Sequence, residues 1–457
     1  MTVGLRPYPE YKHSGVPWLG EVPEHWAVSA LKHACSGSAL YGANVASSQY
    51  CGEGVRFLRT TDIGDDGKLK PDGVYVTSEL AADYMLCDGD LLLSRSGTIG
   101  RSFLYQCELH GPCAYAGYLV RFVPKRCLVP KFIFYFTKTA SFSDFVQLHA
   151  ISSTIDNVNG DKFARMPVPL PPTSEQVTAV RCLELMNGRI TRFIRNRRRL
   201  IALLNEQKQA IINQAVTRGL DPNVRLKPSG VDWLGDIPEH WEMRRIKEIC
   251  RLSYGDSLPI GLRGSGSVCV FGSNGRVGEH FEANTTGPCL VIGRKGSFGK
   301  VNYSADPVFA IDTTFFVDTR FTQVDLRWLF YALQWARLDA ISKDAAVPGL
   351  SRNDAYVTLL PYCGTDEQDA IARYLDSRLH SLNQLQSAVS MQIDLIREFR
   401  TRLISDVVTG KVDVRGVAAQ LEDEPIEPED LSNDIDNGDV PEDDELVLVE
   451  EAADADE

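Results

Sequence analysis

The sequence predicts two tandem α+β domains, two long helices that pair within the chain as a coiled coil, and a disordered acidic tail. Three observations carry this. First, residues 173–220 lack Pro and place Ile190, Leu204 and Ile211 at multiples of seven. Phe193, Leu200 and Ile201 fall between them, a stripe that must be buried against another helix. Second, residues 365–412 repeat the pattern with Leu382, Val389, Ile396 and Leu403, and Glu175-Gln176 returns as Glu367-Gln368. Third, Ser14 to Trp26 returns as Ser229 to Trp241 with ten of thirteen positions identical, including Pro-Glu-His-Trp. Chance does not produce that agreement. The chain is a duplication in which each globular region is followed by its own long helix.

The expected order is a leader (1–13, read as unstructured), a first globular domain (14–172), a central helix (173–220), a second globular domain (221–362), a second helix (363–415) and a tail (416–457). Leu91-Leu92-Leu93 and Leu290-Val291-Ile292 are short apolar runs bounded by Gly, which suits buried strands. Asp65-Asp66-Gly67 and Ser273-Asn274-Gly275 are turn signals. Phe132 to Phe145 and Leu326 to Leu338 are amphipathic. Between the repeated frames the two copies have otherwise drifted apart.

Composition narrows the function. The formal charge of −13 comes from the tail: residues 420–457 hold 18 Asp or Glu, and no Lys or Arg follows Arg415. The body without it is mildly basic, at +5, which permits nucleic acid without demonstrating it. The tail cannot bury enough apolar surface to fold, and could compete weakly with DNA for basic grooves or aid solubility. No run of 18 apolar residues occurs, and the eleven cysteines form no Cys-x-x-Cys pair. A reducing cytoplasm is the expected compartment.

Catalytic motifs are missing. Around Gly299-Lys300 the upstream glycine position of a phosphate loop is Arg294 and the following residue is Val301. There is no Gly-x-Ser-x-Gly, no His-Glu-x-x-His and no Asn-Pro-Pro-aromatic motif. No catalytic residue and no metal ligand is assigned. His25 and His240 read as hydrogen-bonded frame residues, and Trp18, Trp26, Trp233 and Trp241 as packing residues.

One repeated island points to DNA. Arg95, Ser96, Thr98 and Arg101 sit on a glycine-bracketed loop after a predicted strand, and Arg294, Lys295, Ser297 and Lys300 repeat it. Amides and hydroxyls can meet phosphate oxygens there, and Arg can fork onto guanine. The plainer alternative is a tight turn with solvated cations. Arg56, Arg59, Thr60 and Thr61 form a second polar-basic cluster, and Arg263, Ser273, Asn274 and Arg276 a third. Arg189, Arg192, Arg195, Arg197, Arg198 and Arg199 place six cations on the first long helix. These are either a solvated face or contacts to phosphates or an acidic partner.

Taken together, these residues resemble the specificity subunit of type I restriction-modification systems. The Pro-Glu-His-Trp frame is similar to the opening of that family's target recognition domains, and Pro172 to Gln176 to the start of its spacer helices. The second copy departs slightly, with a longer lead from Pro361 to Glu367. The resemblance covers about residues 14–415. It implies two target recognition domains, each reading half of a bipartite, asymmetric double-stranded DNA site, held apart by antiparallel helices. It also implies docked methyltransferase subunits, expected as two, with restriction subunits as a further possible partner. S-adenosylmethionine, ATP and Mg belong on those partners, with no cofactor in this chain. A helix of about 35 residues spans about 50 Å, enough to face half-sites roughly one turn apart. Two rival readings are a single-chain DNA-processing enzyme with dispersed catalytic residues, and a coiled-coil adaptor that does not bind DNA.

Overall fold

The computed structural model describes residues 6–150, 157–231, 233–264, 266–340 and 349–418. The acidic tail lies outside them from residue 419 on. Packing divides the chain into two compact units, one ending at Asn196 and resuming at Gln392, the other Arg197–Met391. The division falls inside both long helices, so each unit holds one globular region and half of each helix.

In the first unit, a four-stranded antiparallel sheet runs in the order Leu40–Tyr41, Leu119–Phe122, Leu91–Ser94, Ser102–Leu104. The apolar run predicted at 91–93 is one of its two central strands and is fully buried. A three-stranded sheet places Val55–Leu58 antiparallel to Val74–Val76 and parallel to Cys113–Tyr115. Ala27–Ala30 pairs with Pro167–Leu170, just ahead of the long helix.

The second unit repeats this plan. Its four-stranded sheet runs Ser253–Tyr254, Thr314–Asp318, Cys289–Gly293, Val301–Ser304. Val268–Gly272 lies antiparallel to Gly275–His280 and parallel to Phe309–Ala310. Glu242–Arg245 pairs with Leu359–Tyr362. The sequences between the frames have diverged, yet strand order and sense are the same.

The residues read as an unstructured leader are ordered from Arg6 on. Tyr11–His13 pairs with Glu21–Pro23, and Asp413 donates its amide to the Arg6 carbonyl at 2.7 Å. Tyr8 is buried and its hydroxyl bonds to Glu175. The same strand pair recurs in the second unit as Leu226–Pro228 with Asp236–Pro238. The leader is therefore part of the repeat, hidden from pattern reading because the pairing strand is three residues long.

The long helices span Thr173–Arg218 and Thr365–Val408. At 1.5 Å per residue each exceeds about 65 Å, longer than the 50 Å expected. Gly219 and Gly410 follow them with φ of +73° and +78°, the left-handed turn that ends a helix and that glycine adopts without penalty. The helices run antiparallel within each unit. In the first, Ala179, Val180 and Leu183 share a core with Leu403, Val407 and Val408. In the second, Ile212, Ala215 and Val216 share one with Ile371, Leu375 and Leu379, and Lys208 Nζ donates to Asn383 Oδ1 at 3.0 Å. Of the seven seam residues, Ile190, Leu204, Val389 and Leu403 are buried, whereas Ile211, Leu382 and Ile396 are half-buried. Ile194, Ile212 and Ile393 are buried alongside them, so the stripe drifts across the helix face instead of holding a strict heptad.

The repeated frame binds each helix to its domain. Glu175 Oε2 meets His25 Nε2 at 3.0 Å, and Trp26 Nε1 donates to Glu175 Oε1 at 3.2 Å. Glu367 Oε2 meets His240 Nε2 at 3.0 Å and accepts from Trp241 Nε1 at 2.9 Å. A carboxylate in the first helical turn is also favoured by the helix dipole. Gln176 donates to the carbonyls of Cys127 and Pro171 and accepts from the Val129 amide; Gln368 donates to the Cys363 carbonyl. The frame histidines and the Glu-Gln pair are thus mutual partners. Trp26 and Trp241 are buried, Trp18 packs edge-on against Phe145, and Trp233 is exposed and stacked on Trp335.

Candidate nucleic-acid interface

The two arginine loops have one backbone design. Ser94 N donates to Arg101 O at 2.8 Å and Gly100 N to Ser94 O at 3.0 Å. In the second unit Gly293 N donates to Lys300 O and Gly299 N to Gly293 O, both at 2.8 Å. Gly97 and Gly296 take φ of +74° and +70°, and Gly100 and Gly299 φ of +84° and +77°. Four glycines therefore sit where an L side chain is strained. The duplication of the island follows from this backbone requirement.

What the loop presents is an arginine over a tyrosine. The Arg95 guanidinium lies 5.2 Å from the centre of the Tyr41 ring, and that of Arg294 lies 5.2 Å from the Tyr254 ring. The Nε of each arginine is buried and finds no hydrogen-bond partner among the described residues. Each tyrosine is exposed. A guanidinium held by a π-face keeps its full charge and its outer donors for a ligand, which suits a phosphate or a guanine edge.

Neither tyrosine was singled out in the sequence, although a signal was there. Tyr41-Gly42 and Tyr254-Gly255 repeat with nearly the spacing of the frames. A Cβ on Gly42 would lie 2.3 Å from the Tyr115 carbonyl oxygen, and one on Gly255 2.1 Å from that of Ile311. Glycine lets the edge strand cross close to its neighbour and sets the preceding tyrosine under the arginine. Arg352 was also missed; its guanidinium lies 4.8 Å from the Tyr254 ring.

The other candidates divide by what holds them. Ser96, Thr98, Lys295 and Ser297 lie on the loops, with Thr98 and Lys295 exposed. The cations that close the loops are committed to protein. Arg101 donates to Asp65 Oδ1 at 2.7 Å and to the Ile63 carbonyl, while Lys300 Nζ donates to the Asn274 carbonyl and Oδ1, both at 2.6 Å. They pin each loop to the neighbouring turn. Arg59 grips Asp62 through Nε and Nη2 at 3.0 and 2.7 Å; burial disfavours its charge, but the Asp62 bonds outweigh this and raise its pKa above the usual arginine value. Beside it the Thr60 hydroxyl is buried without a partner among the described residues, and Thr61 is exposed. Arg263 donates to the Leu258 carbonyl, Arg276 pairs with Glu279, and Ser273 Oγ donates to the Thr313 carbonyl at 2.8 Å. On the first long helix Arg189, Arg192, Arg195, Arg197 and Arg198 all have protein partners.

Each unit thus presents a glycine-shaped loop with a half-buried arginine at one end of an antiparallel sheet, and among the described residues no cluster of His, Cys, Asp or Glu could hold a metal ion. The same arginine–tyrosine arrangement therefore occurs once in each unit. The family of the type I restriction modification DNA specificity domain matches residues 45–202. A Methanocaldococcus jannaschii protein named "Putative type I restriction enzyme MjaX specificity subunit" is 22% identical over 426 residues, covering 87% of this chain and 96% of its own. The MjaVIII specificity subunit of the same organism is 21% identical, covering 63% of this chain and 71% of its own. A solved structure from work on complex assembly and conformational transition of the type I R-M system shares the fold. Its TM-score is 0.63 at 14% identity, over 85% of this chain and 98% of that one. The chain is thus similar to type I restriction enzyme specificity subunits along most of its length, and the matching family model falls in its first unit and the start of the first long helix. No described helix is long and apolar enough to cross a membrane.

Proposed function

We propose that this chain is the DNA-reading subunit of a type I restriction-modification complex, each unit reading one half of a bipartite, asymmetric target. The observation that carries this is the duplicated arginine–tyrosine loop, with the same backbone hydrogen bonds and the same 5.2 Å ring distance in two otherwise diverged sequences. The long helices set the unspecified spacer and dock two methyltransferase subunits, with restriction subunits joining them. S-adenosylmethionine, ATP and Mg act on those partners in the cytoplasm, and this chain supplies the address.

The test inserts one heptad at matched positions of both long helices and sequences the methylome of cells carrying the chain with its methyltransferase. A longer spacer between unchanged half-sites is expected. Altered half-sites with the old spacer would falsify the ruler. Methylation or cleavage by the purified chain alone would favour an enzyme instead.

A further inference from the structure

The face that carries each arginine–tyrosine pair has a third member, which the duplication does not preserve. In the first unit Leu119 stands opposite Ser94 and Val120 opposite Tyr41. One residue further, Arg95 N donates to Tyr118 O at 2.9 Å, which sets Tyr118 opposite Arg95. Directly opposed residues of an antiparallel pair project from the same face, as do residues two apart on one strand. Tyr41, Arg95 and Tyr118 therefore share a face at one end of the sheet. In the second unit Thr314 stands opposite Gly293, Phe315 opposite Tyr254, and Arg294 N donates to Thr313 O at 2.9 Å. The same position is filled by Thr313.

The turns that hold these two residues are alike. Leu119 N donates to Ala116 O, and Thr314 N to Ile311 O, each at 2.9 Å. Tyr118 is 64% exposed, and neither its hydroxyl nor that of Thr313 has a partner among the described residues. The fold asks nothing of either side chain. A constant arginine and tyrosine beside a variable, unpartnered residue is the pattern of a shared anchor with a changing reader.

We infer that Tyr118 and Thr313 are specificity-determining residues, each contacting the major-groove edge of one base pair beside the contact made by Arg95 or Arg294. This rests on the DNA-reading function proposed above. Threonine offers a short hydroxyl and a methyl group that suits the thymine methyl, whereas tyrosine reaches further with a ring and a phenol. The two half-sites accordingly differ at this base pair.

The experiment uses the full-length chain co-expressed with the methyltransferase of its host, with binding selection from randomised duplexes. Tyr118→Thr is expected to change preference at one base pair of one half-site by about tenfold or more. Thr313→Tyr does the same in the other half-site, and each leaves the opposite half-site untouched. Both positions are turn residues whose side-chain hydroxyls have no partner among the described residues, and an unchanged melting temperature checks that the variants fold. Tyr118→Phe separates the phenol from the ring. Unchanged preference at every position, or a uniform loss across all sequences, overturns the inference when Arg95→Ala and Arg294→Ala still weaken selective binding. If the arginine variants also bind and select as before, the DNA-reading function itself fails.

Discussion

The two arginine sites share a backbone and differ in what surrounds it. In the first unit the Tyr41 hydroxyl accepts from the Gly160 amide at 3.0 Å; in the second the Tyr254 ring carries a second arginine, Arg352. Gly160 and Arg352 each open the short helix before the strand that leads into the long helix. An arginine could not stand at 160, because a Cβ there would lie 2.8 Å from the Ala39 methyl and 2.9 Å from the Tyr41 hydroxyl. The difference teaches where a duplicated protein is free to diverge. Backbone geometry and the ring under the arginine are held, while side chains around them set a distinct electrostatic environment in each half.

The same contrast runs through the frames and yields the largest expected effect. Glu175 is 6% exposed and serves Tyr8, His25 and Trp26, whereas Glu367 is 32% exposed and serves His240 and Trp241. Burial, with the Glu175 carboxylate bound to it, pushes the Tyr8 phenol well above its usual pKa. Removing a buried charged acceptor strands its donors, so Glu175→Ala should cost about 3 kcal/mol. Glu367→Ala should cost about 1 kcal/mol, because water can replace the carboxylate there. Urea unfolding of both variants checks the ratio, and equal losses would break the comparison.

Next come the arginines. Arg95→Ala is expected to lower affinity for the specific duplex by roughly tenfold to a hundredfold. Arg294→Ala should cost less, because Arg352 remains on the Tyr254 ring, and Arg352→Ala less again. Fluorescence anisotropy over a salt series reads this order; a phosphate contact also lowers the salt slope by about one. An Arg294 loss exceeding that of Arg95 would mean that Arg352 gives no backup.

The smallest effect is in pH dependence. Burial pushes the Asp318 carboxyl up, but bonds from Arg320 and from the Thr286 and Arg320 amides outweigh it, leaving its pKa below the usual range. Its contribution is present above the unfolded value and lost as pH falls through the folded one. For Asp90 burial wins over the Cys87 amide and Arg121, and the pKa is raised. Its contribution is lost as pH rises through the folded value. Between pH 3 and 7, Asp318→Asn should therefore lose stability relative to the unsubstituted chain, and Asp90→Asn should gain, each by roughly 1 kcal/mol or less. Unfolding midpoints across that range read the signs, and slopes of the same sign would refute the assignment.

Much of the plan was legible in the chain. The Pro-Glu-His-Trp frame and the Glu-Gln helix starts recur because they are each other's partners, and the glycine-bracketed arginine island recurs because its backbone needs glycine at fixed positions. The partners of the cations were not legible. Arg59, Arg101, Arg263, Arg276 and Lys300 looked like DNA ligands in sequence, yet their acceptors are Asp62, Asp65, the Leu258 carbonyl, Glu279 and Asn274. Arg101 and Lys300 in particular meet acceptors 36 and 26 residues away. Tyr41 escaped notice for the same reason: its value lies in a guanidinium 54 residues further on, brought to it through the intervening strand at 119–122.

The sequence by itself determined the duplication, the two helix-forming stretches, the glycine positions of the arginine loops and the lack of a recognisable catalytic motif. These are properties of short windows, where periodicity, φ preference and local hydrogen bonding act. Tertiary structure decided which arginine lies over a tyrosine ring and which is hydrogen-bonded to a carboxylate or carbonyl of the protein. It also decided that the leader joins the first unit, and that Tyr118 and Thr313 occupy one position on one face. Those outcomes depend on strand register and on which distant carbonyl or carboxylate arrives beside a cation, and neither is written in any single stretch of chain.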